Sequence, residues 1–473
     1  MARSMLIQPD GKIIVGGSSF NSNDWDFSLI RFNTNGSIDN NFGKSGKVMS
    51  DFNQSGDEAE SMAIQSDGKI LLAGSSDSSD ASGLIYRFAL ARYKSSGSLD
   101  SSFGNAGKVI VYGLNDAFAS GIFIQANEKI VVAGYSNLNG IILMRFNADG
   151  GLDNSFGTKG VVATSIKGKN HGQAKSIVIQ SDGKILVAGN SDTSLTNGYF
   201  NFALLRYKSN GKLDSTFGSG GIVTTTIGDG SEANALTIQK DGKILVTGSG
   251  IISAQTFFAL ARYDSTGVLD TTFGNGGIVA ANSIYPYNEA YDLAVQTDGR
   301  ILIAGISTYN AGSDFAILRF GTDGKIDSTF GASGIVLTTF SSPDNGAYAM
   351  KIQSDGKIVV TGYSAGIIGV ARYINDQNLA VIDFPFLKNS VSVYPNPVNS
   401  VCTFEYELLK EETITLELYD ITGQLIKTIS EKQSKTKGKH IEQILLDENN
   451  SPGNYFLIIT NGAQRQAVKL MQE

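Results

Sequence analysis

Cysteine is all but missing from this chain: Cys402 stands alone among 473 residues. A single thiol excludes an internal disulfide and any cysteine-built metal cage, and Cys402, set among strand-forming residues, reads as an inert core residue. Histidine is nearly as scarce, present only as His171 and His440. A serine–histidine or cysteine–histidine centre would therefore rest on one of two positions far apart in the chain. Charge is sparse at 18%, with a net value of −7 and no basic stripe, so nucleic acid is excluded as a partner. The one lysine cluster, Lys432 to Lys439, reads as a solvated loop. No apolar run approaches the ~20 residues that carry a helix across a bilayer. The first residues, MARSMLIQPDGK, lack the apolar core of a signal peptide.

What is abundant is glycine, 55 residues against 7 prolines, with 41% hydrophobic residues. That balance suits short strands joined by tight turns. Gln8, Gln65, Gln125, Gln180, Gln239, Gln296 and Gln353 open seven similar segments spaced 57, 60, 55, 59, 57 and 57 residues apart. Repeats near this length signal an array of like units. Each unit reads as four strands: a short alternating run such as MAIQ, a hairpin turn SDGK, a second strand such as KILLAG, a third such as FALARY, and a fourth such as GKVIV after a Phe-Gly turn. Four antiparallel strands cannot bury both faces alone, whereas stacking in a ring buries them and protects the edges. The expected fold is all-β: a seven-bladed β-propeller of four-stranded blades over residues 1–385, with repeats starting near 1, 58, 118, 173, 232, 289 and 346, and a second β-domain beyond.

The fourth strand is evident in only six units. LAVIDF at 379–384, within a linker or closing strand spanning 374–389, is one candidate for the seventh. A strand upstream of Met1 is the other. Aligning Gln8 with Gln65 places Ala2 on Ala59, Ser4 on Ser61, Met5 on Met62 and Ile7 on Ile64. The chain thus begins in mid-repeat, and an upstream coding segment with a signal peptide is expected.

Arg31, Arg92, Arg145, Arg206, Arg262, Arg319 and Arg372 recur once per unit, and Asp39, Asp100, Asp153, Asp214, Asp270 and Asp327 follow the first six at eight residues. A residue present in every blade cannot define one asymmetric active site. The expected role is structural, the guanidinium tying its strand to the following turn. From that Arg to the Phe of the Phe-Gly turn is always 11 residues, whereas the distance from Gln to Arg varies from 19 to 27. The variable loops fall together on one face, where binding residues usually sit. On that face Trp25, Tyr285, Tyr287 and Tyr309 are candidates to stack on a ligand, and His171 lies in the loop KGKNHGQ. Loop packing, and for His171 plain solvation, are the competing readings. The acidic stretches SSDSSD (75–80) and IGDGSEAN (227–234) offer oxygens to Ca²⁺ but match no ordered calcium loop. No cofactor is expected.

The pattern QSDGKILVAG…FALLRYKSNGKLDSTFGSGGIV resembles the delta-60 repeat. That resemblance implies a propeller-like fold and an extracellular setting without a common activity. The third unit is the weakest match, with Asn127-Glu128 replacing Asp-Gly. After residue 373 the composition shifts, and seven short strand-like runs follow, as in an immunoglobulin-like β-sandwich. Within residues 390–473, VYPNPV, LYDITGQLI, SPGNYFLII and VKL resemble the type IX secretion C-terminal sorting domain. The positions carrying the motif are Pro395, Asn396, Pro397, Tyr419, Asp420, Gly423, Gly453, Tyr455 and Lys469, most of them read as determinants of the fold. The resemblance implies export, with the type IX machinery as partner and removal of the domain after transit. The expected protein is a secreted or surface-displayed binding or scaffold propeller rather than an enzyme, directed at a glycan or an extracellular protein. The alternative is a hydrolase or lyase acting on extracellular polysaccharide, which would need unmatched polar residues converging near the propeller axis.

Overall fold

The recurring Asp-Gly hairpin sets the local structure. At Gln65–Lys69 the Gly68 amide donates to the Gln65 carbonyl at 2.9 Å, and the Lys69 amide donates to Asp67 Oδ1 at 3.1 Å. Gly68 takes φ +81°, where a side chain would be strained. In the third unit Glu128 takes the same turn at φ +62°, and its carboxylate accepts from Gln65 Nε2 at 3.1 Å and Ser66 Oγ at 2.7 Å.

The computed structural model describes all residues except 81–82, 115, 167–170, 193–199, 284, 310–311, 341–343, 365, 375–390, 421–423, 447–452, 462–464 and 473. It divides into two compact units, Met1–Gln377 and Asn378–Glu473. In the first, six antiparallel four-stranded sheets and one three-stranded sheet follow one another along the chain. Blade 1 is typical, with strands Ala2–Ile7, Ile13–Phe20, Trp25–Phe32 and Lys47–Ser50. The first strand of each blade packs against the first strand of the next, and Asn345–Ile352 of blade 7 packs against Ala2–Ile7 of blade 1. The ring therefore closes with seven blades.

Closure is made by side chains, because blade 7 has three strands among the described residues. The expected closing strand at 379–384 lies outside them. Ala2, Met5, Ile13 and Val15 share a core with Ala349 and Val359, and Arg372 Nη1 donates to the Thr34 carbonyl of blade 1 at 2.6 Å.

The second unit is a sandwich of a three-stranded and a four-stranded sheet with seven strands, as its sequence suggests. Its own core is built on Phe404, Tyr406, Leu416, Leu418, Leu457 and Ile459. The lysine cluster read as a loop lies instead largely on two consecutive strands of different sheets, Leu425–Lys435 and Gly438–Leu445. Its charges pair across strands, Lys435 with Glu442 at 2.7 Å and Lys439 with Glu405 at 2.6 Å.

Candidate functional site

Every blade carries one irregularity in the same place. The pairing of first and second strands slips by one residue, leaving Arg3, Glu60, Ser120, Lys175, Asn234, Tyr291 and Tyr348 as the extra residues. Such bulges re-aim a side chain out of the pleat. The residue before each is alanine and fully buried, as at Ala59 and Ala174. Opposite stands a glycine of the second strand. At Gly74 an added Cβ would meet the Glu58 carbonyl oxygen at 1.9 Å, so only glycine admits the bulge there, and the same approach recurs in the other six blades.

All seven bulged residues line one cavity of about 590 Å³ on the propeller axis, together with Glu58, Phe118, Tyr135, Asp292 and Lys351. The scaffold repeats sevenfold, yet what it presents to the axis includes two cations, an anion, two polar groups and two phenols. Arg3 Nε lies 3.7 Å from Glu60 Oε1, and its guanidinium stacks 4.6 Å from the Tyr348 ring centroid. The Tyr291 and Tyr348 rings meet edge to face at 4.8 Å, and the Tyr291 hydroxyl donates to Glu289. Asp292 accepts from the Met350 amide at 2.8 Å and lies 3.5 Å from Lys351 Nζ. Burial raises the Glu60 carboxyl, Arg3 opposing it, and burial lowers the Lys175 ammonium, against the pull of Glu232 and Glu60.

Sequence reasoning missed this site, although its signal is present. In the seven copies set one below another, the position six before the glutamine is always alanine. The next position runs Arg, Glu, Ser, Lys, Asn, Tyr, Tyr. Variation inside an otherwise repeating strand marks a position that the strand's own packing does not dictate.

The aromatic candidates do not converge. Trp25 packs edge to face on Phe20 at 5.7 Å in blade 1, while Tyr285 and Tyr309 pair at 4.6 Å in blade 6. Tyr287 is exposed beside that pair, and His171 is exposed between blades 3 and 4. The two acidic stretches lie in or beside strands rather than in open loops. Ile70–Asp80 and Gly230–Ile238 are strands, and Asp77 and Asp229 accept from the amides of Gly56 and Ser253 at 2.8 and 2.9 Å.

Arg31, Arg92, Arg145, Arg206, Arg262 and Arg372 each reach a backbone carbonyl of the next blade. Arg206 Nε bonds Asp214 at 2.9 Å, Nη2 bonds Thr216 at 3.2 Å, and Nη1 donates to the Ser265 carbonyl of the next blade at 2.5 Å. Its guanidinium lies 4.5 Å over the Phe217 ring. The Nε pairing recurs as Arg31–Asp39, Arg92–Asp100, Arg145–Asp153, Arg262–Asp270 and Arg319–Asp327 at 2.6–2.9 Å. A cation from the Asp-Gly hairpin joins each, as Lys184 joins Asp214 at 3.5 Å. At Asp214 burial works against ionisation, but the Thr216 bonds and the Arg206 and Lys184 charges outweigh it and hold the carboxyl at about 2. Asp39, Asp100, Asp153, Asp270 and Asp327 are likewise held low. A carboxyl depressed in the folded state contributes stability that is present above its unfolded pKa of about 4 and lost as pH falls through the folded value. The propeller should therefore lose stability progressively from about pH 4 towards pH 2. Thermal melts in that range would show it, and an unchanged Tm would contradict it.

In the second unit Asn396 Oδ1 accepts from the Met471 amide at 2.8 Å, holding the Pro395–Pro397 stretch to the last strand. Tyr455 is buried in the core. Tyr419 donates to Glu417 at 2.9 Å, and Asp420 Oδ1 accepts from the Gln424 amide at 2.9 Å. Gly453 opens strand Gly453–Thr460, and Lys469 stands opposite Phe456 on the last strand. Gly423 lies outside the described residues.

Residues 8–42, 65–103, 125–156, 180–217, 239–273 and 296–330 match the family described as a domain of unknown function (DUF5122) β-propeller. Residues 392–473 match the secretion system C-terminal sorting domain. The chain carries DUF5122 β-propeller repeats and a C-terminal secretion sorting domain. The tail means export to the cell surface or extracellular space by type IX secretion. The seventh repeat of this DUF5122 propeller lies beyond the matched segments, yet it keeps the alanine, the bulge at Tyr348 and Arg372. No curated protein matches the chain in sequence. Among solved structures it is similar to PorZ of Porphyromonas gingivalis, a surface component of the type-IX secretion system. Identity is 11% over 99% of this chain and 74% of that one, with a TM-score of 0.34. It is also similar to an exo-1,5-α-L-arabinanase from a bovine ruminal metagenomic library, at 12% identity over 63% of this chain and 95% of that one, with a TM-score of 0.30. At these scores neither likeness bears on activity or ligand.

Proposed function

We propose that this exported propeller is a non-catalytic binding module that takes a small polar ligand, a sugar or short glycan, in its axial cavity. The observation that carries the reading is the set of seven bulges, which point unlike side chains into one space from a repeating frame. Tyr291, Tyr348, Tyr135 and Phe118 offer ring faces, and Glu60, Asn234, Lys175 and Asp292 offer hydrogen-bonding groups. Aromatic faces beside charged and amide groups suit a ligand with one apolar face and many hydroxyls. Glu60, Glu289 and Asp292 are engaged by Arg3, Tyr291 and Lys351, which favours holding a ligand over attacking it. This moves the expected binding site from the variable loops to the axis.

A second reading keeps the polysaccharide hydrolase or lyase. Glu60 is raised by burial, Arg3 opposing it, and a carboxyl held towards its protonated form can serve as a general acid. A glycan array run beside a glycosidase and lyase screen separates the two. The binding reading expects a retained glycan with no turnover, and about tenfold or greater loss of affinity in Tyr348→Ala, roughly one aromatic contact. Turnover abolished by Glu60→Gln would replace it with the enzymatic reading. An array without a hit, or Tyr348→Ala binding as the parent does, would move the site away from the axis.

A further inference from the structure

A second polar cluster lies away from the axis, where blade 1 meets blade 2 on the face of the variable loops. Asp26 in Trp25–Phe32, Asp51 after Lys47–Ser50 and Asp57 at the start of Asp57–Ile64 bring carboxylate oxygens within 4.8 Å of one another. Exposed acidic groups gather on many surfaces without consequence, but two of these three are buried. Asp57 is 0% exposed and Asp26 4%. Each has one oxygen engaged: Asp57 Oδ2 accepts from the Phe52 amide at 2.6 Å, and Asp26 Oδ2 from Asn21 Nδ2 at 2.8 Å. The Oδ1 atom of each is buried without a hydrogen-bond donor. A buried carboxylate oxygen without a partner is costly unless a cation or a proton meets it.

The equivalent junction two steps back around the ring provides an internal control. Between blades 6 and 7 the corresponding positions are Asp314, Thr339 and Asn345. There the Thr339 hydroxyl donates to Asp314 Oδ1 at 2.7 Å, and Asn345 Nδ2 donates to the Ser313 carbonyl at 3.0 Å. Asp314 there meets a hydroxyl donor, and the asparagine serves a backbone carbonyl. At blades 1 and 2 the positions of Thr339 and Asn345 are held by Asp51 and Asp57, so three carboxylates meet where the blade 6 and 7 junction supplies one. The ammonium of Lys108 lies nearby, but it donates to the Asp51 backbone carbonyl and lies 5.4 Å from the Phe52 ring centroid.

We propose that the junction of blades 1 and 2 is a Ca²⁺ site ligated by the carboxylates of Asp26, Asp51 and Asp57. An all-oxygen, carboxylate-rich set suits a hard divalent cation, and Ca²⁺ tolerates an irregular arrangement that Mg²⁺ does not. Without the ion, burial pushes the Asp57 carboxyl up to about 7, Ser76 and Phe52 opposing it. A proton shared with Asp26 is then the competing way to satisfy the site.

The sole tryptophan of the chain, Trp25, is the residue next to Asp26, which gives the site its own reporter. The full chain is stripped with chelator and titrated with Tb³⁺ while tryptophan is selectively excited. Sensitised terbium emission that Ca²⁺ displaces is expected, together with a Ca²⁺-dependent rise in Tm within the millimolar range of extracellular calcium modules. In Asp57→Asn, which copies the asparagine of the blade 6 and 7 junction, both responses should fall at least tenfold while the metal-free protein stays folded. Asp241→Asn, on an exposed hairpin of blade 5, should leave them unchanged. Absent emission and an unmoved Tm at about 10 mM Ca²⁺ would overturn the proposal, leaving the shared proton. Full response in Asp57→Asn, or a stronger response to Mg²⁺ than to Ca²⁺, would overturn it equally.

Discussion

A chain ended near Phe386 and supplied with a working signal peptide is expected to remain folded in the periplasm of a type IX-competent host. The full chain, supplied with the same peptide, should reach the surface or medium with its C-terminal domain trimmed. The expected difference is close to all or none. The sorting domain buries its own core on Phe404, Leu416 and Leu457, and a unit with its own core folds without help from a neighbour. The propeller in turn closes its ring with Arg372 and the core shared by Met5 and Val359, all within Met1–Gln377. Immunoblots of periplasm, surface and medium, with protease resistance as the measure of folding, decide the matter. Equal secretion of the two chains would remove the export role of residues 392–473. An unfolded shorter chain would show that the propeller depends on them.

The second large effect concerns the joints of the ring. Arg206→Ala should destabilise the propeller by about 3 kcal/mol, as losing one partner of a buried ion pair does. It removes a pair with Asp214, a bond to Thr216, a bond to Ser265 of the next blade and the stack on Phe217. It also leaves the Asp214 carboxylate buried with only the Lys184 charge 3.5 Å away. Arg206→Lys should rescue little, since an ammonium cannot span three acceptors in a planar fork. Arg372→Ala should cost less, about 1 kcal/mol, because Arg372 is exposed and its described bond is one to the Thr34 carbonyl. Chemical denaturation of the three variants gives the ranking, and ligand affinity measured well below the transition should be unchanged. A fully stable Arg206→Ala that had lost ligand binding would make the arginine functional.

Both effects rest on features that could be read along the chain. The spacing of the seven glutamines, the Asp-Gly turns and the strand-like runs determined the propeller and the sandwich, because each is a local preference repeated until stacking becomes the only way to bury it. The eight-residue interval from Arg31 to Asp39 likewise pointed to a structural pair, since the short segment between them holds both ends within reach. The sorting motif was legible for a similar reason: Asn396, Tyr419 and Tyr455 serve the domain's own fold.

The two sites were decided by tertiary structure. A bulge is a property of the pairing between two strands, so the outward turn of Glu60 and Lys175 needed Gly74 and Gly189 to be seen beneath the carbonyls of Glu58 and Gln173. The axial cavity then joins residues as distant as Arg3 and Tyr348, whose meeting depends on ring closure. Asp26, Asp51 and Asp57 lie close in sequence, but the burial of Asp26 and Asp57 does not follow from sequence, because it arises where blade 1 packs on blade 2. Local patterning settles which strands form and how they stack. Which side chains lose water together depends on contacts between blades, and those exist only once the ring has closed.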